Sequence, residues 1–247
     1  MARLALALLF LFAFFGDAYL MSTPSSGSSD QPLVLLLLGP PGSGKGTQAV
    51  RLSRELQLPH ISTGDLLRQH LKEQTPLGRR AKEYIESGQL VPDELVTDML
   101  FERISQPDAK KGYLLDGFPR TIPQAEALDA RIQGKARLVV VQLDLPDEEI
   151  VKRLSNRMTC RQCGEIHNLA FSPPKERGKC DSCGGELFQR ADDREQVIRD
   201  RLAVYREQTR PLIGHYSQQQ ELIQLSSLAP PDQVYQQLIQ EVKKRAP

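Results

Sequence analysis

The sequence contains no tryptophan, only 6% aromatic residues, and no cysteine outside residues 160–183. It also lacks a charge bias: 32 Lys and Arg stand against 31 Asp and Glu, a net charge of +1. A chain so balanced has no global field to recruit nucleic acid or an anionic membrane. Without tryptophan and without aromatic and basic residues interleaved, it also lacks the stacking platform of a single-strand binder. No apolar run is long enough to cross a bilayer as a helix: the longest, "LALALLFLFAFF" (4–15), has twelve residues.

That run follows Arg3 and precedes "GDA" at 16–18, a poor cleavage site, so a secretory signal is one reading. An over-long gene start is another, because Met21 opens a second plausible N-terminus, "MSTPSSGSSDQP"; a third is that the segment does neither. Residues 1–31 are taken as a leader, the Ser/Gly-rich part of it disordered, and set aside from the fold. A membrane role follows only if the apolar segment is a real anchor.

The remaining 216 or so residues are ample for one sizeable core. "LVLLLL" (33–38), "GYLLDGF" (112–118), "RLVVVQLDL" (137–145) and "ELIQL" (221–225) are apolar runs without alternation, and "PHIS" (59–62) is a shorter one. Such runs read as strands buried on both faces. Helical patterns lie between them, as in "GTQAVRLSREL" (46–56) and "VYQQLIQEVKKR" (234–245). The alternation predicts an α/β fold with a five-stranded parallel sheet and helices on both faces. Two stretches interrupt it: 62–91, helix after helix, and 156–193, polar and holding every cysteine. Both are expected to be inserts on one core spanning 32–247.

Directly after the first strand stands "GPPGSGKGTQ" (39–48). Gly39, Gly44 and Lys45 fit G-x-x-x-x-G-K, a loop whose backbone N–H groups cradle phosphate at a helix N-terminus. The general motif continues with Ser or Thr, whereas here Gly46 precedes Thr47. In the cysteine-bearing stretch, Cys160-x2-Cys163 and Cys180-x2-Cys183 are separated by sixteen residues, each pair followed by glycine. That spacing predicts a closed four-thiolate structural zinc site. Two disulfides, or four uncoordinated thiols, are the alternatives.

Together "GPPGSGKGTQ", "ISTGDLLR" (61–68), "LLDGFPRTIPQA" (114–125) and "ADDREQVIRDRL" (191–202) resemble the adenylate kinases over roughly residues 33–245. Gly46–Thr47 is the form that family uses. The resemblance implies a fold of the P-loop NTPase type and reversible transfer of the terminal phosphoryl group of ATP to AMP, giving two ADP, with Mg²⁺. It implies an AMP-binding insert at 62–91 and a zinc-braced lid at 156–193. By the same resemblance Gly42, Ser43, Gly44, Lys45, Gly46, Thr47, Arg153, Arg157, Ile166, His167 and Ala229 hold ATP. Thr63, Arg68, Gln89, Leu90, Val91, Gly117, Arg120, Gln124, Arg190 and Arg201 hold AMP, with Gln124 on the base edge. Arg190 and Arg201 span the transferring group, and Lys45, Arg120, Arg157 and Asp116 complete the catalytic set, Asp116 organising Mg²⁺ through its waters.

Physical chemistry asks for the same residue types. Two phosphate chains in one small volume need cations that stay charged and donate in a fork, hence arginine. Arg153 and Arg157, four apart, are expected on one helical face. His167 is expected either on the adenine or exposed, while His60, His70 and His215 show no partner pattern. A reducing cytoplasm, a monomer, and no nucleic-acid partner complete the expectation.

Overall fold

The computed structural model describes residues 31–219 and 222–245. The expectations for the leader fall outside these residues, apart from position 31. Five strands form one parallel sheet: β1 (Leu33–Leu38), β2 (His60–Ser62), β3 (Gly112–Asp116), β4 (Arg137–Asp144) and β8 (Leu222–Ser226), in the order β2-β3-β1-β4-β8. Central β1 pairs Leu35 with Leu114 on one side and with Val139 on the other.

The uninterrupted "LVLLLL" is explained by this position. Successive side chains of a strand point to opposite faces. Val34, Leu36 and Leu38 enter one apolar layer with Leu100, Phe118, Leu128 and Tyr216, whereas Leu35 and Leu37 enter the other with Leu52, Leu143, Leu238 and Val242. The first layer is covered by α4 (Asp93–Ile104), α5 (Ile122–Ile132) and α8 (Pro211–Gln218). The second is covered by α1 (Lys45–Leu56) and α9 (Pro231–Arg245). Burying a leucine side chain fully contributes about 1.5–3 kcal/mol, and β1 alone has Leu35 and Leu36 at 0% exposure.

Two segments stand apart from this body. One is the pair α2 (Thr63–Lys72) and α3 (Pro76–Ser87), packed on each other. Their starts are written in the sequence: Ser62 and Thr75 accept N–H bonds from Asp65 and Gly78, and Pro76 opens α3. The other follows α6 (Asp147–Ser155) and is a small antiparallel sheet of β5 (Arg157–Cys160), β6 (Ile166–Asn168) and β7 (Leu187–Phe188), ordered β6-β5-β7. The chain returns to the body through α7 (Glu195–Val204) and a π-helical turn, Tyr205–Thr209.

The structure corrects one expectation. Arg153 and Arg157 do not share a helical face, because α6 ends at Ser155 and Arg157 opens β5. Asn156 caps α6 outside helical geometry, turning the chain into the small sheet. Among the described residues no helix is long and apolar enough to cross a membrane.

Candidate active site

A parallel sheet with β3 and β4 on opposite sides of β1 leaves a crevice at the strand ends, where the connections diverge. Here that crevice is a cleft of about 690 Å³. Every non-cysteine residue expected to bind a nucleotide or act in catalysis lines it: Gly42 to Thr47, Thr63, Arg68, Gln89 to Val91, Asp116, Gly117, Arg120, Gln124, Arg153, Arg157, Ile166, His167, Arg190, Arg201 and Ala229.

At its floor, the loop from β1 to α1 makes the phosphate cradle. Gly39 has φ 140°, and a Cβ there would lie 2.3 Å from the Leu143 carbonyl oxygen, so only glycine fits. Lys45 Nζ donates to the Gly39 and Pro40 carbonyls, both at 2.8 Å. Burial pushes its pKa down to about 8, assisted by Arg120, Arg201 and Arg157 and opposed by Asp116. Ser43 Oγ is buried without a hydrogen-bond partner among the described residues, the kind of donor that an anion in the loop would satisfy.

Asp116 ends β3 beside this lysine. Burial raises its pKa, but His60 and the charge of Lys45 more than offset that, and the carboxylate lies below its ordinary range. His60 Nε2 is 3.7 Å from Asp116 Oδ2. A Cβ on Gly46 would approach Asp116 Oδ2 at 3.4 Å, so the glycine that replaces Ser or Thr keeps open the space before the carboxylate. A hard, oxygen-ligated cation fits there through its waters, since one carboxylate faces a phosphate cradle.

The α2–α3 side carries polar groups of another kind. Thr63 is buried and its Oγ1 donates to the Gly117 carbonyl at 2.8 Å, which also accepts from Arg120 Nε at 2.8 Å. A Cβ on Gly117 would press within 3.0 Å of both side chains. Arg68 pairs with Asp65 across one helical turn. Gln124 is 2% exposed, and its amide is engaged at both ends: Nε2 donates to Asp93 Oδ1 at 2.7 Å, and Oε1 accepts from the Arg120 N–H at 2.8 Å. Gln89 is exposed at the rim, with Leu90 and Val91 running inward.

Between the two halves the arginines converge. Arg157 holds Asp193 in a fork, Nε to Oδ2 at 2.7 Å and Nη2 to Oδ1 at 2.6 Å, and Asp193 is fully buried. Arg201 Nη1 donates to Asp193 Oδ1 at 3.2 Å and to the Asp192 carbonyl at 2.9 Å. Arg190 Nε donates to Thr159 Oγ1 at 2.9 Å, and Arg153 Nη2 to the Ser227 carbonyl at 2.8 Å. Burial first, then the neighbouring guanidinium of Arg201, pulls Arg120 down to about 10; burial with Arg68 and Arg157 pulls Arg190 to about 9. Burial also lowers Arg201. Seven cations and four carboxylates line the cleft, an excess of three positive charges in a chain whose total is +1.

His167 is 6% exposed and lines the cleft, so the exposed alternative is corrected; Ile166, at 41%, is the exposed member of that pair. Pairing of Met158 with His167 on β5 and β6 turns the imidazole inward. His60 and His215, without a partner pattern in sequence, face Asp116 and Asp129 respectively, and His70 Nδ1 lies 3.0 Å from Thr75 Oγ1. Sequence reasoning missed Asp93, Asp192, Asp193 and Glu149, the carboxylates that orient Gln124 and the arginines. For Asp192 and Asp193 the signal lay inside the quoted "ADDREQVIRDRL"; for Asp93 it was only an acid after proline at a helix start.

The four cysteines meet at the base of the small sheet. Cys160 and Cys183 Sγ atoms are 3.5 Å apart, Cys163 and Cys180 3.6 Å, and all four lie within 4.8 Å of one another. A tetrahedral metal at ~2.3 Å from each sulfur needs sulfurs roughly 3.8 Å apart. The set fits zinc, and none of the four is in a disulfide. Both knuckle glycines, Gly164 at φ 77° and Gly184 at φ 72°, donate to the carbonyls of Cys160 and Cys180 at 3.1 and 2.8 Å. Sulfur itself accepts from the backbone of the knuckle, with Gln162 N–H 3.4 Å from Cys160 Sγ. Hydrogen bonds from Cys163 and Gln162 hold the Cys160 thiol down at about 6.

Comparison with known proteins now meets this geometry. The family model described as adenylate kinase matches residues 37–221. A protein of Methanocella arvoryzae named adenylate kinase is 49% identical over 213 residues, covering 85% of this chain and 99% of its own. Its namesake from Archaeoglobus fulgidus is 52% identical over 184 residues, 74% of this chain and 85% of its own. That of Carboxydothermus hydrogenoformans is 55% identical over 185 residues, 74% and 86% respectively. The aligned span holds the phosphate loop, both polar walls and the arginine cluster, and this chain belongs to the adenylate kinase family of nucleoside monophosphate kinases.

Proposed function

We propose that this protein transfers the terminal phosphoryl group of ATP to AMP, reversibly, giving two ADP. The observation that supports it best is the single cleft with a phosphate cradle on one side, a polar base pocket on the other and an excess of three positive charges between them. In this reading residues 42–47, Arg153, Ile166, His167 and Ala229 take ATP. Thr63, Arg68, Gln89, Leu90, Val91, Gly117 and Gln124 take AMP. Arg120, Arg157, Arg190 and Arg201 gather around the transferring group.

Chemistry of this kind is positioning and electrostatic stabilisation, with no covalent nucleophile required. Lys45, resting on loop carbonyls, exchanges those acceptors for phosphate oxygens, which restores its full charge. Arg157 and Arg201 are pre-oriented by Asp193, so little reorganisation remains when charge develops. Mg²⁺ carried with the nucleotide would neutralise phosphate charge, and Asp116 is placed to hold its water shell.

Residues 62–91 and 156–193 are the two segments that close on the substrates. Closure excludes water, which would otherwise intercept the phosphoryl group and weaken every charge interaction inside. Zn²⁺ held by Cys160, Cys163, Cys180 and Cys183 braces the second segment and does no chemistry. A reducing cytoplasm and a monomeric state complete the reading: four thiols and a reaction that uses ATP favour the first, and a cleft formed within one chain supports the second.

The test is a coupled assay of the full chain with ATP and Mg²⁺, offering AMP, GMP, UMP and CMP in turn, with metal analysis of the same sample. ADP formed from AMP far faster than from the others is the expected result. Turnover with none of the four by a folded, zinc-loaded protein would overturn the reading.

A further inference from the structure

Gln124 reaches the cleft wall with its amide already committed. Nε2 donates one hydrogen to Asp93 Oδ1 at 2.7 Å, and Oε1 accepts one from the Arg120 backbone at 2.8 Å. The two partners agree on which end is oxygen: a backbone N–H can only donate, and a carboxylate can only accept. One lone pair on Oε1 and one hydrogen on Nε2 remain, in a fixed order along the wall.

Asp93 is itself anchored. It opens α4, its Oδ2 accepts from Thr121 Oγ1 at 2.7 Å, and it does not line the cleft. Thr121 in turn caps α5 by accepting from the Gln124 N–H at 3.3 Å. Carboxylate, hydroxyl and amide therefore form a short chain tying the start of α4 to the start of α5. Flipping the Gln124 amide would set two donors, Nε2 and the Arg120 N–H, against each other and two oxygens, Oε1 and Asp93 Oδ1, against each other. Each mismatch leaves buried polar groups unpaired.

The order of donor and acceptor has a chemical meaning. A purine with a 6-amino group presents a donor at position 6 and an acceptor at N1. A 6-oxo purine presents the reverse, an acceptor and then a donor. The two amide orientations of a glutamine are complementary to one purine each, and a freely rotating amide serves both. We infer that Asp93 is a specificity-determining positioning residue, which locks Gln124 in one orientation and so holds the site to one of the two patterns, the 6-amino one if AMP is the acceptor as proposed. The inference rests on Gln124 being the acceptor-base contact.

The experiment compares kcat/KM for AMP and for IMP, which differ at position 6 and N1 alone, in the full-length wild type and in Asp93→Ala. A wild type strongly favouring AMP is expected, with the AMP:IMP ratio narrowed about tenfold in Asp93→Ala, by loss of one hydrogen bond to a charged group. The KM for ATP should move little, the melting temperature should fall by the loss of the tie between α4 and α5, and Asp93→Asn, which keeps an acceptor toward Gln124, should restore most of the ratio. In a Gln124→Leu background the Asp93→Ala effect should vanish. An unchanged ratio, or a shift that persists without Gln124, would overturn the inference. So would a wild type that takes IMP as readily as AMP, whereas a wild type inactive on every monophosphate would overturn the proposed function itself. If Asp93→Ala does not fold, NMR of the wild type decides. A coupling across the hydrogen bond from Gln124 Nε2–H to the Asp93 carboxylate supports the lock, and Nε2 proton NOEs averaged over two χ3 orientations refute it.

Discussion

The two sheets of this protein are held by different means. The parallel body is closed by two continuous apolar layers, one on each face, in which Leu35, Leu36, Leu114, Leu115 and Val140 are completely buried. The small sheet of β5, β6 and β7 has an apolar cluster of only Cys160, Cys180 and Leu187, with Met158 against them. In the proposed reading the small sheet moves over the substrate, so it cannot share a core with the body, and a segment so short cannot bury enough surface to hold its own shape. Metal–thiolate bonds from the four cysteines would supply what packing does not. On that reading the body is strong because it is fixed, and the small sheet needs a brace because it is not.

That contrast breaks most visibly at the cysteines. Structural zinc in small cysteine sites is worth ~10–16 kcal/mol of apparent binding energy. Cys160→Ser is expected to lose the metal and, by hydrogen exchange, the protection of residues 157–188, while β1, β3 and β4 keep theirs. About one zinc per chain surviving the substitution would rule out the site. The complementary change is Leu36→Ala in the body, expected to cost about 2–5 kcal/mol globally and to lower the melting temperature without releasing zinc. Should each substitution instead loosen both sheets equally, the two are one cooperative unit and the comparison fails.

A third substitution acts where the regions meet. Arg120 belongs to the body and donates from Nε to the Gly117 carbonyl, with Arg201, from the segment returning out of the small sheet, as its nearest cationic influence. Arg120→Ala is expected to reduce turnover about 10²–10³-fold, as removal of one preorganised donor does, with the melting temperature little changed. A mild effect on turnover would put this arginine away from the phosphates.

How much of this was legible beforehand follows the same division. The central strands were readable because a strand buried on both faces is apolar along its buried length, as "LVLLLL" and the "LVVV" of β4 are. The phosphate loop was readable because Gly39 and Lys45 stand at a fixed spacing directly after such a strand. The small sheet was not: β6 has three residues and β7 two, too short for any period, and both take their place by pairing with β5. Arg153 and Arg157 show the limit of spacing arguments, because four residues apart means one face only while the helix lasts. The orienting carboxylates were hidden for another reason. Asp93 reaches Gln124 across 31 positions and Asp193 reaches Arg157 across 36, and neither partnership leaves a local pattern.

Lys45 gives the smallest effect and the sharpest probe of how the two regions communicate. Its pKa, lowered to about 8, owes most to burial, but the charges of Arg120, Arg201 and Arg157 push in the same direction, and the last of these opens the small sheet. An unfolded lysine titrates near 10.4, so between about pH 8 and 10 the unfolded chain holds a proton that the folded chain has released. Lys45 therefore makes stability rise with pH in that window, with the penalty for burying its charge present below it. Activity runs the other way, because phosphate needs the charged form. In the free enzyme kcat/KM for ATP should fall above pH ~8 by about tenfold per unit, while the limb of kcat, read with phosphates bound, should sit higher. Releasing the small sheet by Cys160→Ser would withdraw Arg157 and admit water, raising the Lys45 pKa and moving the kcat/KM limb to higher pH. A limb that stays fixed in that variant would mean that Lys45 is governed by the body alone.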